Sequence, residues 1–412
     1  MIRRTIEMVV RKSLRTFPAT ALVGARQVGK STLSNQIGKE LGYTYVSLDD
    51  LTLRADANRD PQFFLSRFKA PLIIDEAQKA TGLFEEVEYL VNEKRRLEGN
   101  QAANGMFILS GSSRRDLLEK AKESLAGRAA LLDMSPLSLS EISGQHNIPF
   151  LPDPMALSQR SAVARLNAEE ILDFIVKGQM PELYDDEGLR GSIFYSSFIS
   201  TYLEKDVRDQ IELKDESKFY NLLVLVASLT GQELNYDSLS KQVGVSATTI
   251  RTWVGIMAKT GIIHLLQPYY EDSWTKRMVK SPKIYFFDTG IACFLLGIDS
   301  KETLSRSFLK GRLFETFVVN EIRKSYENEG NKTNFYYYRD YAQREVDLVF
   351  IQKGTLYAVE CKFGDKHTLS EVSGFKELDA TKYERGKNCI VCTADSVSAL
   401  SPQVLIVPVT AI

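Results

Sequence analysis

The feature that most constrains this chain is a glycine-rich segment close to its beginning. The stretch "LVGARQVGKST" carries the pattern Gly-x-x-x-x-Gly-Lys-Ser between Gly24 and Ser31. Such a loop wraps backbone N–H groups around phosphates when it connects a strand to a helix. The flanking sequence meets that condition, because "ALVG" is typical of a strand and "KSTLSNQIGKELG" of a helix. The pattern therefore predicts a triphosphate site at the end of the first strand of a parallel α/β sheet.

Each type of residue in this loop has a defined task in phosphate binding. Glycines let the backbone turn inward, and the helix that begins near Lys30 directs its positive end at the phosphates. The Lys30 amino group pairs with the β- and γ-phosphates, and the Ser31 hydroxyl binds Mg²⁺. We therefore expect ATP and Mg²⁺ as ligands. The predicted nucleotide-binding residues are Gly24, Ala25, Arg26, Gln27, Val28, Gly29, Lys30, Ser31, Thr32, Asp75 and Ser112.

A second segment, "LIIDEAQ", favours hydrolysis over binding alone. Asp75 lies at the end of an apolar stretch and is predicted to hold, through a water, the Mg²⁺ that Ser31 coordinates. Glu76 follows it and is predicted to orient or deprotonate the attacking water. The alternative interpretation is an acidic pair on a solvated loop, which the neighbouring phosphate-binding pattern disfavours.

The segment "ILSGSSRR" is the next candidate strand and ends in polar residues. Ser110 or Ser112 is expected to sense the γ-phosphate there. An arginine usually stabilises the charge that develops on that phosphate, and Arg114, Arg115 and Arg128 are the candidates. The sequence leaves open which arginine acts, whether it acts in its own subunit or a neighbouring one, and whether each is simply a surface residue.

The composition limits the class of protein. The chain has 412 residues, of which 44% are hydrophobic and 25% charged, as is typical of a soluble globular protein with about three domains. Because the net charge is -1, any nucleic-acid contact must come from a local patch. Four cysteines are too few for a disulfide framework, and Cys389 and Cys392 are expected on a buried strand and not in a zinc site. With no apolar run long enough for a membrane helix, the expected location is the cytoplasm.

The middle of the chain is expected to be largely helical. Phe194, Tyr195, Phe198 and Tyr202 form an aromatic stripe with helical spacing, which is expected in the core. Further along, "YDSLSKQVGVSATTIRTWVGIMAKTGIIHLLQPYY" has the pattern of a helix, a turn at Gly244, a second helix and a β-prone segment. This order predicts a winged helix-turn-helix.

A winged helix suggests contact with DNA. Its second helix would present Thr248, Thr249 and Arg251 to the major groove. Arg251 and Lys259 are, however, its only basic residues, and DNA affinity depends on phosphate neutralisation. Because winged helices also dock proteins, DNA and a protein partner both stay open.

The last segment carries the acids and the lysine of a candidate metal site. Asp347 lies in "EVDLVF", and Glu360 and Lys362 lie in "AVECKF". On adjacent strands, Asp347 and Glu360 would hold Mg²⁺, and Lys362 would steady a water or the charge on phosphorus. Glu315 in the preceding helix is a further candidate. This arrangement is that of a restriction-endonuclease-like fold, and the alternative is two strands with solvated charges.

Taken together, these motifs resemble the AAA-type ATP-binding proteins of bacteria and archaea. "VGARQVGKST", "LIIDEAQ", "LSGSS" and "LAGRAALLDMSPLSLSEI" resemble the ATPase of that family. "KGQMPEL", "YLEKDV", "LFETFVVNEI", "YYRDYAQREVDLVF" and "VECKFG" resemble the domain of unassigned function that follows it. The resemblance implies AAA-type geometry. One departure is "KGQMPE", where the family commonly has a second glycine and an aromatic residue, and we expect it to loosen a turn outside the ATP site.

We predict an α/β protein of four parts. These are an AAA-type P-loop ATPase core with a parallel sheet (1–142), a helical connector (143–215), a winged helix-turn-helix (216–290) and an α/β restriction-endonuclease-like domain (291–412). The first hypothesis is a Mg²⁺-dependent ATPase that moves the winged helix and a nuclease-like tail, with DNA as a candidate partner. The alternative is a slow ATP-dependent switch that binds a protein or nucleic acid without cleaving it. The oligomeric state stays open, and no membrane contact is expected.

Overall fold

A computed structural model describes the protein over residues 2–112, 117, 120–121, 123–158, 160, 166–185, 188–208, 210–211, 215–270, 281–340 and 342–412. Its backbone falls into two compact units. The first, the N-terminal unit, runs to residue 137 and includes residues 259–261 and 327–330. The second, the C-terminal unit, comprises residues 138–258, 262–326 and 331–412. The division of the chain into four parts stays a prediction.

The N-terminal unit alternates strands with helices. Its elements are α1 (Ile6–Thr16), β1 (Ala19–Val23), α2 (Lys30–Leu41), β2 (Thr44–Ser47), α3 (Leu51–Arg59), α4 (Pro61–Arg67), β3 (Leu72–Asp75), α5 (Gly82–Glu98), β4 (Phe107–Gly111) and β5 (Ala129–Asp133). All five strands are parallel and lie in the order β2-β3-β4-β1-β5. The predicted parallel sheet in this part of the chain is confirmed.

The apolar pattern of the strands and of α1 explains why this unit forms. β1, β3 and β4 are buried along their whole length, as expected of parallel strands that helices cover on both faces. In α1, Ile6, Val10 and Leu14 recur at helical spacing and are buried. α1 is therefore an amphipathic helix that precedes the first strand.

Parallel pairing brings the ends of three central strands to one edge of the sheet. Val23 of β1 pairs with Gly111 of β4, and Asp75 of β3 pairs with Ser110 of β4. Open α/β sheets bind their ligands at the carboxyl ends of strands. The loop after β1 and the acids after β3 consequently share one edge.

The C-terminal unit begins with a helical part. Its elements are α6 (Leu139–Ile142), α7 (Pro154–Ser158), α8 (Ala168–Lys177), α9 (Glu182–Asp185), α10 (Gly191–Thr201) with a π-helical turn after it (Tyr202–Val207), and α11 (Glu216–Ser228). Phe194, Tyr195, Phe198 and Tyr202 are all buried in the largest core of the chain's described part. The expectation that this aromatic stripe is core is confirmed.

The helix-turn-helix segment follows. Its elements are β6 (Gln232–Glu233), α12 (Tyr236–Val243), α13 (Ala247–Lys259), β7 (Ile263–Pro268) and β8 (Lys283–Phe286). Gly244 ends α12 in the left-handed region at φ 73°, which a glycine adopts without strain. β7 and β8 pair in antiparallel register. Two helices and a strand pair thus occur in the predicted order, and the winged-helix assignment itself stays a prediction.

A buried polar cluster holds the turn in which the sequence departs from the family pattern. The backbone N–H of Gln179 donates to Asp288 Oδ2 at 2.6 Å, and its side-chain amide donates to Glu321 at 2.7 Å. The Lys324 ammonium donates to the Gln179 amide oxygen at 2.6 Å. Tyr195 donates to the other Asp288 oxygen at 2.9 Å. Burial raises the pKa of Asp288 above its ordinary value, although these donors oppose the shift.

The rest of the C-terminal unit is a helical segment and a mixed sheet. Its elements are α14 (Thr289–Leu295), α15 (Lys301–Arg306), α16 (Lys310–Glu327), β9 (Phe335–Arg339), β10 (Glu345–Gln352), β11 (Thr355–Cys361), β12 (Glu384–Arg385), β13 (Asn388–Cys392), β14 (Ser398–Ser401) and β15 (Val404–Pro408). The strand order is β14-β15-β13-β11-β10-β9-β7-β8-β6, and β12 pairs with β11. Cys389 and Cys392 lie on β13 and belong to different cores. Their predicted place on a buried strand is confirmed.

Across the part of the chain that the structure describes, no helix combines the length and apolar character that crossing a bilayer requires.

Candidate nucleotide-binding and hydrolysis site

The loop between β1 and α2 has the backbone of a tight cradle. Gly24 lies so close to the chain after β5 that a Cβ atom there would sit 2.2 Å from the Met134 carbonyl oxygen. Gly29 has φ 97° and stands at the N-cap of α2. Gln27 between them has φ 59°, a rare value for a residue with a side chain. These positions explain why the loop needs glycines at both of its ends.

Lys30 is buried with its ammonium inside the loop. Its Nζ donates to the carbonyl oxygens of Gly24 at 2.9 Å and of Ala25 at 2.6 Å. α2 begins at Lys30, so its first N–H groups and its positive dipole end face the same space. A cation and a helix terminus together favour an anion with several charges.

Asp75 is held by three hydroxyl groups. Ser110 Oγ donates to its Oδ1 at 2.5 Å, and Ser31 Oγ lies 3.0–3.1 Å from both carboxylate oxygens. Tyr45 of β2 donates to Oδ2 at 2.8 Å. Burial and the hydrogen bond to Asp75 raise the pKa of the Tyr45 phenol, so it stays a donor at neutral pH. Ser31, Asp75 and Ser110 were predicted from the sequence, whereas Tyr45 was not.

These groups fit a magnesium ion. Mg²⁺ takes oxygen ligands and is usually bound by one or two carboxylates or hydroxyls together with substrate phosphates. Ser31 and Asp75 already lie within hydrogen-bonding distance of each other beside the phosphate cradle. They are the residues that would hold the ion.

Glu76 is a buried acid with an unusual backbone. Its φ of 56° and ψ of 39° place it in the left-handed region, which surrounding structure must enforce on a residue with a side chain. Its Oε2 accepts from the Gln78 amide at 2.6 Å and from Ser112 Oγ at 3.0 Å. The side chain is therefore oriented by two donors, of which the sequence analysis identified Ser112 and missed Gln78.

A cleft adjoins this edge of the sheet. It has a volume of about 920 Å³ and opens beside Ser31 and Thr32, and Tyr45 forms part of its lining. Asn35 and Gln36 of α2 also line it. From Ser31 the cleft runs along α1 and α2, where Arg11 and Glu40 also line it.

Arg128, one of the three candidate arginines, does not join this cluster. Arg128 precedes β5, so it lies at the opposite edge of the sheet from the loop that follows β1. Its guanidinium bonds to Asn92 at 2.9 Å and to Glu88 at 3.2 Å. A role for Arg128 in a neighbouring subunit stays a prediction. Arg114 and Arg115 lie outside the described residues.

The structure also brings together the predicted residues of the tail. β10 and β11 pair in antiparallel register with Leu348 opposite Val359, which places Asp347 next to Glu360. Asp347 Oδ2 accepts from the Cys361 backbone N–H at 2.9 Å, and Glu360 Oε1 pairs with the Lys362 ammonium at 2.7 Å. Burial and the nearby Asp347 raise the pKa of Glu360 well above its ordinary value.

Lys283, which no sequence motif indicated, lies in the same cluster. Its side chain is 1% exposed, and its Nζ lies 2.9 Å from Glu315, 2.5 Å from Glu345 and 3.4 Å from Asp347. Burial by itself lowers the pKa of Lys283, but the surrounding acids outweigh it and the pKa is raised well above its ordinary value. Burial, with Asp347 next, raises the pKa of Glu315 to about 7.

The tail cluster does not fit a magnesium ion as the nucleotide site does. Three carboxylates share the Lys283 ammonium, and the fourth, Glu360, shares Lys362. Over the described ranges, no group of three or more His, Cys, Asp or Glu residues is arranged to hold a metal ion. The predicted roles of Asp347 and Glu360 as metal ligands, and of Lys362 as their catalytic partner, stay predictions.

The second helix of the helix-turn-helix segment has a polar surface. Thr248 and Arg251 of α13 are exposed, whereas Thr249 is partly buried and its hydroxyl bonds to Ser246. The Arg251 guanidinium stacks over the Tyr236 ring at 4.8 Å. Contact of this surface with DNA stays a prediction.

Three family models match successive segments of the chain. Residues 16–143 match the family model of the AAA domain. Residues 168–302 match a domain of unknown function (DUF8612), and residues 310–412 match another (DUF4143). The nucleotide site therefore lies in a region similar to AAA domains, with the parallel sheet and phosphate loop of P-loop ATPases.

Similar proteins have been curated in bacteria and archaea. An uncharacterized protein of Mycobacterium tuberculosis, and its counterpart in Mycobacterium bovis, are 28% identical over 367 residues, which cover 87% of this chain and 74% of theirs. An uncharacterized protein of Methanocaldococcus jannaschii is 24% identical over 292 residues, 66% of this chain and 60% of that protein.

Solved structures show more distant similarity. The Walker-type ATPase of Pyrococcus abyssi is 16% identical with a TM-score of 0.44, over 70% of this chain and 94% of that chain. A RuvB mutant of Thermotoga maritima is 16% identical with a TM-score of 0.30, over 64% of this chain and 93% of that chain.

Proposed function

We propose that this protein binds ATP together with Mg²⁺ and hydrolyses it at the edge of the N-terminal sheet. One observation carries the proposal. A buried lysine, a hydroxyl–carboxylate pair and a second, oriented carboxylate converge at the carboxyl ends of the parallel strands β1 and β3, which lie on either side of β4: Lys30, Ser31, Asp75 and Glu76. These are the groups that phosphoryl transfer to water requires.

Phosphate binding falls to the loop and to Lys30. When the triphosphate enters, the Lys30 ammonium exchanges the carbonyl oxygens of Gly24 and Ala25 for phosphate oxygens. The first N–H groups of α2 donate to the same phosphates. The base and ribose extend into the cleft beside Thr32.

Ser31 and Asp75 are the residues that would hold the metal ion. When bound, Mg²⁺ neutralises charge on the β- and γ-phosphates. Ser110 and Tyr45 keep the Asp75 carboxylate turned toward Ser31 by donating to one oxygen each. Ser31 and Asp75 therefore keep a fixed spacing, and the loop needs little rearrangement when the nucleotide arrives.

Glu76 orients the attacking water and takes its proton. Gln78 and Ser112 both donate to Oε2, so Oε1 is the oxygen that we expect to face the water. The Ser112 hydroxyl, which donates a hydrogen bond to Glu76, would donate to a γ-phosphate oxygen instead when ATP is bound. In that role it would report whether the γ-phosphate is present.

The direct test is ATP turnover by the full chain and two variants. Lys30→Ala removes the phosphate-binding ammonium, so ATP binding and turnover fall together. Glu76→Gln retains ATP binding and loses turnover. Absence of Mg²⁺-dependent turnover in the unaltered protein, at any ATP concentration tested, would reject the proposed function.

We further propose that the nucleotide state is coupled to the C-terminal unit. Support comes from the mycobacterial relatives, whose similarity spans 87% of this chain and so includes both parts. The exposed Thr248 and Arg251 of α13 make DNA the first partner to test. The test is the ATPase rate with and without duplex DNA, and an unchanged rate at saturating DNA would count against this partner.

A second candidate function for the tail is binding of a partner without cleavage. The observation that favours it is the Lys283 ammonium, which lies among the carboxylates that a nuclease would use for its metal. A nicking assay with Mg²⁺, and with Asp347→Ala and Lys362→Ala as controls, separates the candidates. Nicking that both substitutions abolish would favour the nuclease.

A further inference from the structure

The Lys283 ammonium is fully buried among acids that come from different elements of the C-terminal unit. Lys283 comes from β8, while Glu315 comes from α16 and both Glu345 and Asp347 come from β10. Nζ lies within 3.4 Å of all three carboxylates. Tyr285 donates to the same Glu315 oxygen that Lys283 contacts, at 2.6 Å. The carboxylates therefore converge on a cation that the chain itself supplies.

This arrangement competes with a divalent ion. Mg²⁺ requires oxygen ligands at about 2.0–2.1 Å in near-octahedral geometry. An ion bound to Asp347 Oδ1 would lie no more than about 5.5 Å from the Lys283 ammonium, given its 3.4 Å contact. Two cations at that separation repel each other strongly where water is excluded. Glu360 has one oxygen without a partner in the described structure, which offers a metal only a single free ligand atom.

We infer that Lys283 is the permanent cation of this cluster and takes the place of a metal ion. The ammonium satisfies Glu315, Glu345 and Asp347 and ties β8 to β10 and α16 within the C-terminal unit. Metal-dependent cleavage through Asp347 and Glu360 is then not an activity of the native chain. This inference is independent of the proposed ATPase, because all of its residues lie in the C-terminal unit.

The first experiment counts bound metal with Mn²⁺ as the probe. Electron paramagnetic resonance on the nucleotide-free full chain measures Mn²⁺ bound to the unaltered protein, to Asp75→Asn and to Asp347→Asn. We expect Asp75→Asn to remove any bound Mn²⁺ and Asp347→Asn to leave it in place. A bound Mn²⁺ that Asp347→Asn removes would overturn the inference, as would Mn²⁺-dependent nicking of DNA that Asp347→Ala abolishes.

The second experiment replaces the internal cation. Lys283→Met keeps the approximate side-chain volume but leaves buried acids without their ammonium, so the melting temperature should fall by roughly 10 °C. Millimolar Mn²⁺ should then recover at least about half of that loss, because the site becomes open to a divalent ion. Lys324→Met, which removes a buried ammonium from the Gln179–Glu321 cluster of the same unit, is the matched control and should show no such recovery.

The response of Lys283→Met to Mn²⁺ and the Mn²⁺ count on the unaltered protein together decide the inference. A Lys283→Met variant that folds and does not respond to Mn²⁺ would contradict the inference, because its acids would then have no affinity for a replacement cation. A variant that does not fold leaves the Mn²⁺ count on the unaltered protein as the deciding result.

Discussion

Glu76→Gln is the substitution that most sharply separates chemistry from binding at the nucleotide site. The carboxylate is buried and receives both of its described hydrogen bonds on Oε2, from Gln78 and Ser112. Both partners are donors. The oxygen of the new amide must therefore occupy the place of Oε2, and its NH₂ group must face the water. The variant presents a donor where the reaction needs a base.

The expected magnitude follows from this geometry. General-base catalysis contributes about 10² to 10⁴ in rate. The side-chain amide that replaces the Glu76 carboxylate is fixed with its NH₂ group toward the water. We therefore expect the rate of ATP turnover to fall by an amount in the upper half of that range, about 10³- to 10⁴-fold. This loss corresponds to about 4 to 5.5 kcal/mol of activation free energy. ATP affinity should change by less than about threefold, since Lys30 and the loop amides supply the phosphate contacts.

The assay is phosphate release at saturating ATP and Mg²⁺, with ATP affinity measured separately by calorimetry. Glu85→Gln is the matched control, because Glu85 is an exposed acid on α5 of the same unit and should leave both quantities unchanged. A Glu76→Gln rate within tenfold of the unaltered protein would refute the assignment of the base. A large loss of ATP affinity would instead show that Glu76 supports the loop.

Three further predictions follow from single contacts. Lys30→Ala should weaken ATP binding by about 10- to 100-fold in calorimetry, because charge-assisted bonds to phosphate are lost, and unchanged affinity would contradict its role. Tyr45→Phe should raise the Mg²⁺ concentration for half-maximal ATPase activity by about tenfold, because Asp75 loses the hydroxyl that orients it. The KM for MgATP should stay constant. An unshifted Mg²⁺ requirement would contradict this prediction. Asp288 has a raised pKa when folded, so the folded state holds its proton more tightly and stability should fall as pH rises from about 4 through the folded pKa. Urea unfolding should therefore show that Asp288→Asn is less costly at pH 7 than at pH 4, and a cost independent of pH would contradict this assignment.

The local sequence predicts those parts of the nucleotide site in which one short segment determines both the type of each residue and its position in the fold. Gly24 to Ser31 form such a segment, and Asp75 ends a buried apolar strand. Parallel pairing then brings the two together without further information. Tyr45 has no such signal. It lies on an edge strand that is only partly buried, and its role arises from the pairing of β2 with β3.

Lys283 shows a second limit of prediction from the sequence, which is that the partners of a buried residue lie far away along the chain. It stands in "PKIYFFD", where a lysine within a buried apolar strand requires an acidic partner. Its partners Glu315 and Asp347 lie 32 and 64 residues further along the chain. The sequence could therefore indicate that a partner exists but not which acid provides it. The same acids suggested a metal site because the internal cation was not recognised.

The fold was predictable where the apolar pattern and the turn residues indicate the same boundaries of helices and strands. Alternating apolar runs and helical segments gave the parallel sheet, and Gly244 marked the turn between α12 and α13. The continuity of one sheet from β6 to β15 could not be predicted in the same way, because it depends on the parallel pairing of β7 with β9 around Gln267 and Tyr336. Such long-range pairing has no short sequence signal.

A crystal structure with a non-hydrolysable ATP analogue and Mg²⁺ tests the central claim most directly. We predict that the phosphates contact the backbone amides between Gly24 and Ser31, that the Lys30 ammonium leaves its two carbonyl partners for them, and that the metal ion joins Ser31 to the nucleotide. An ordered analogue bound elsewhere on the chain, with Lys30 still bonded to Gly24 and Ala25, would contradict the account.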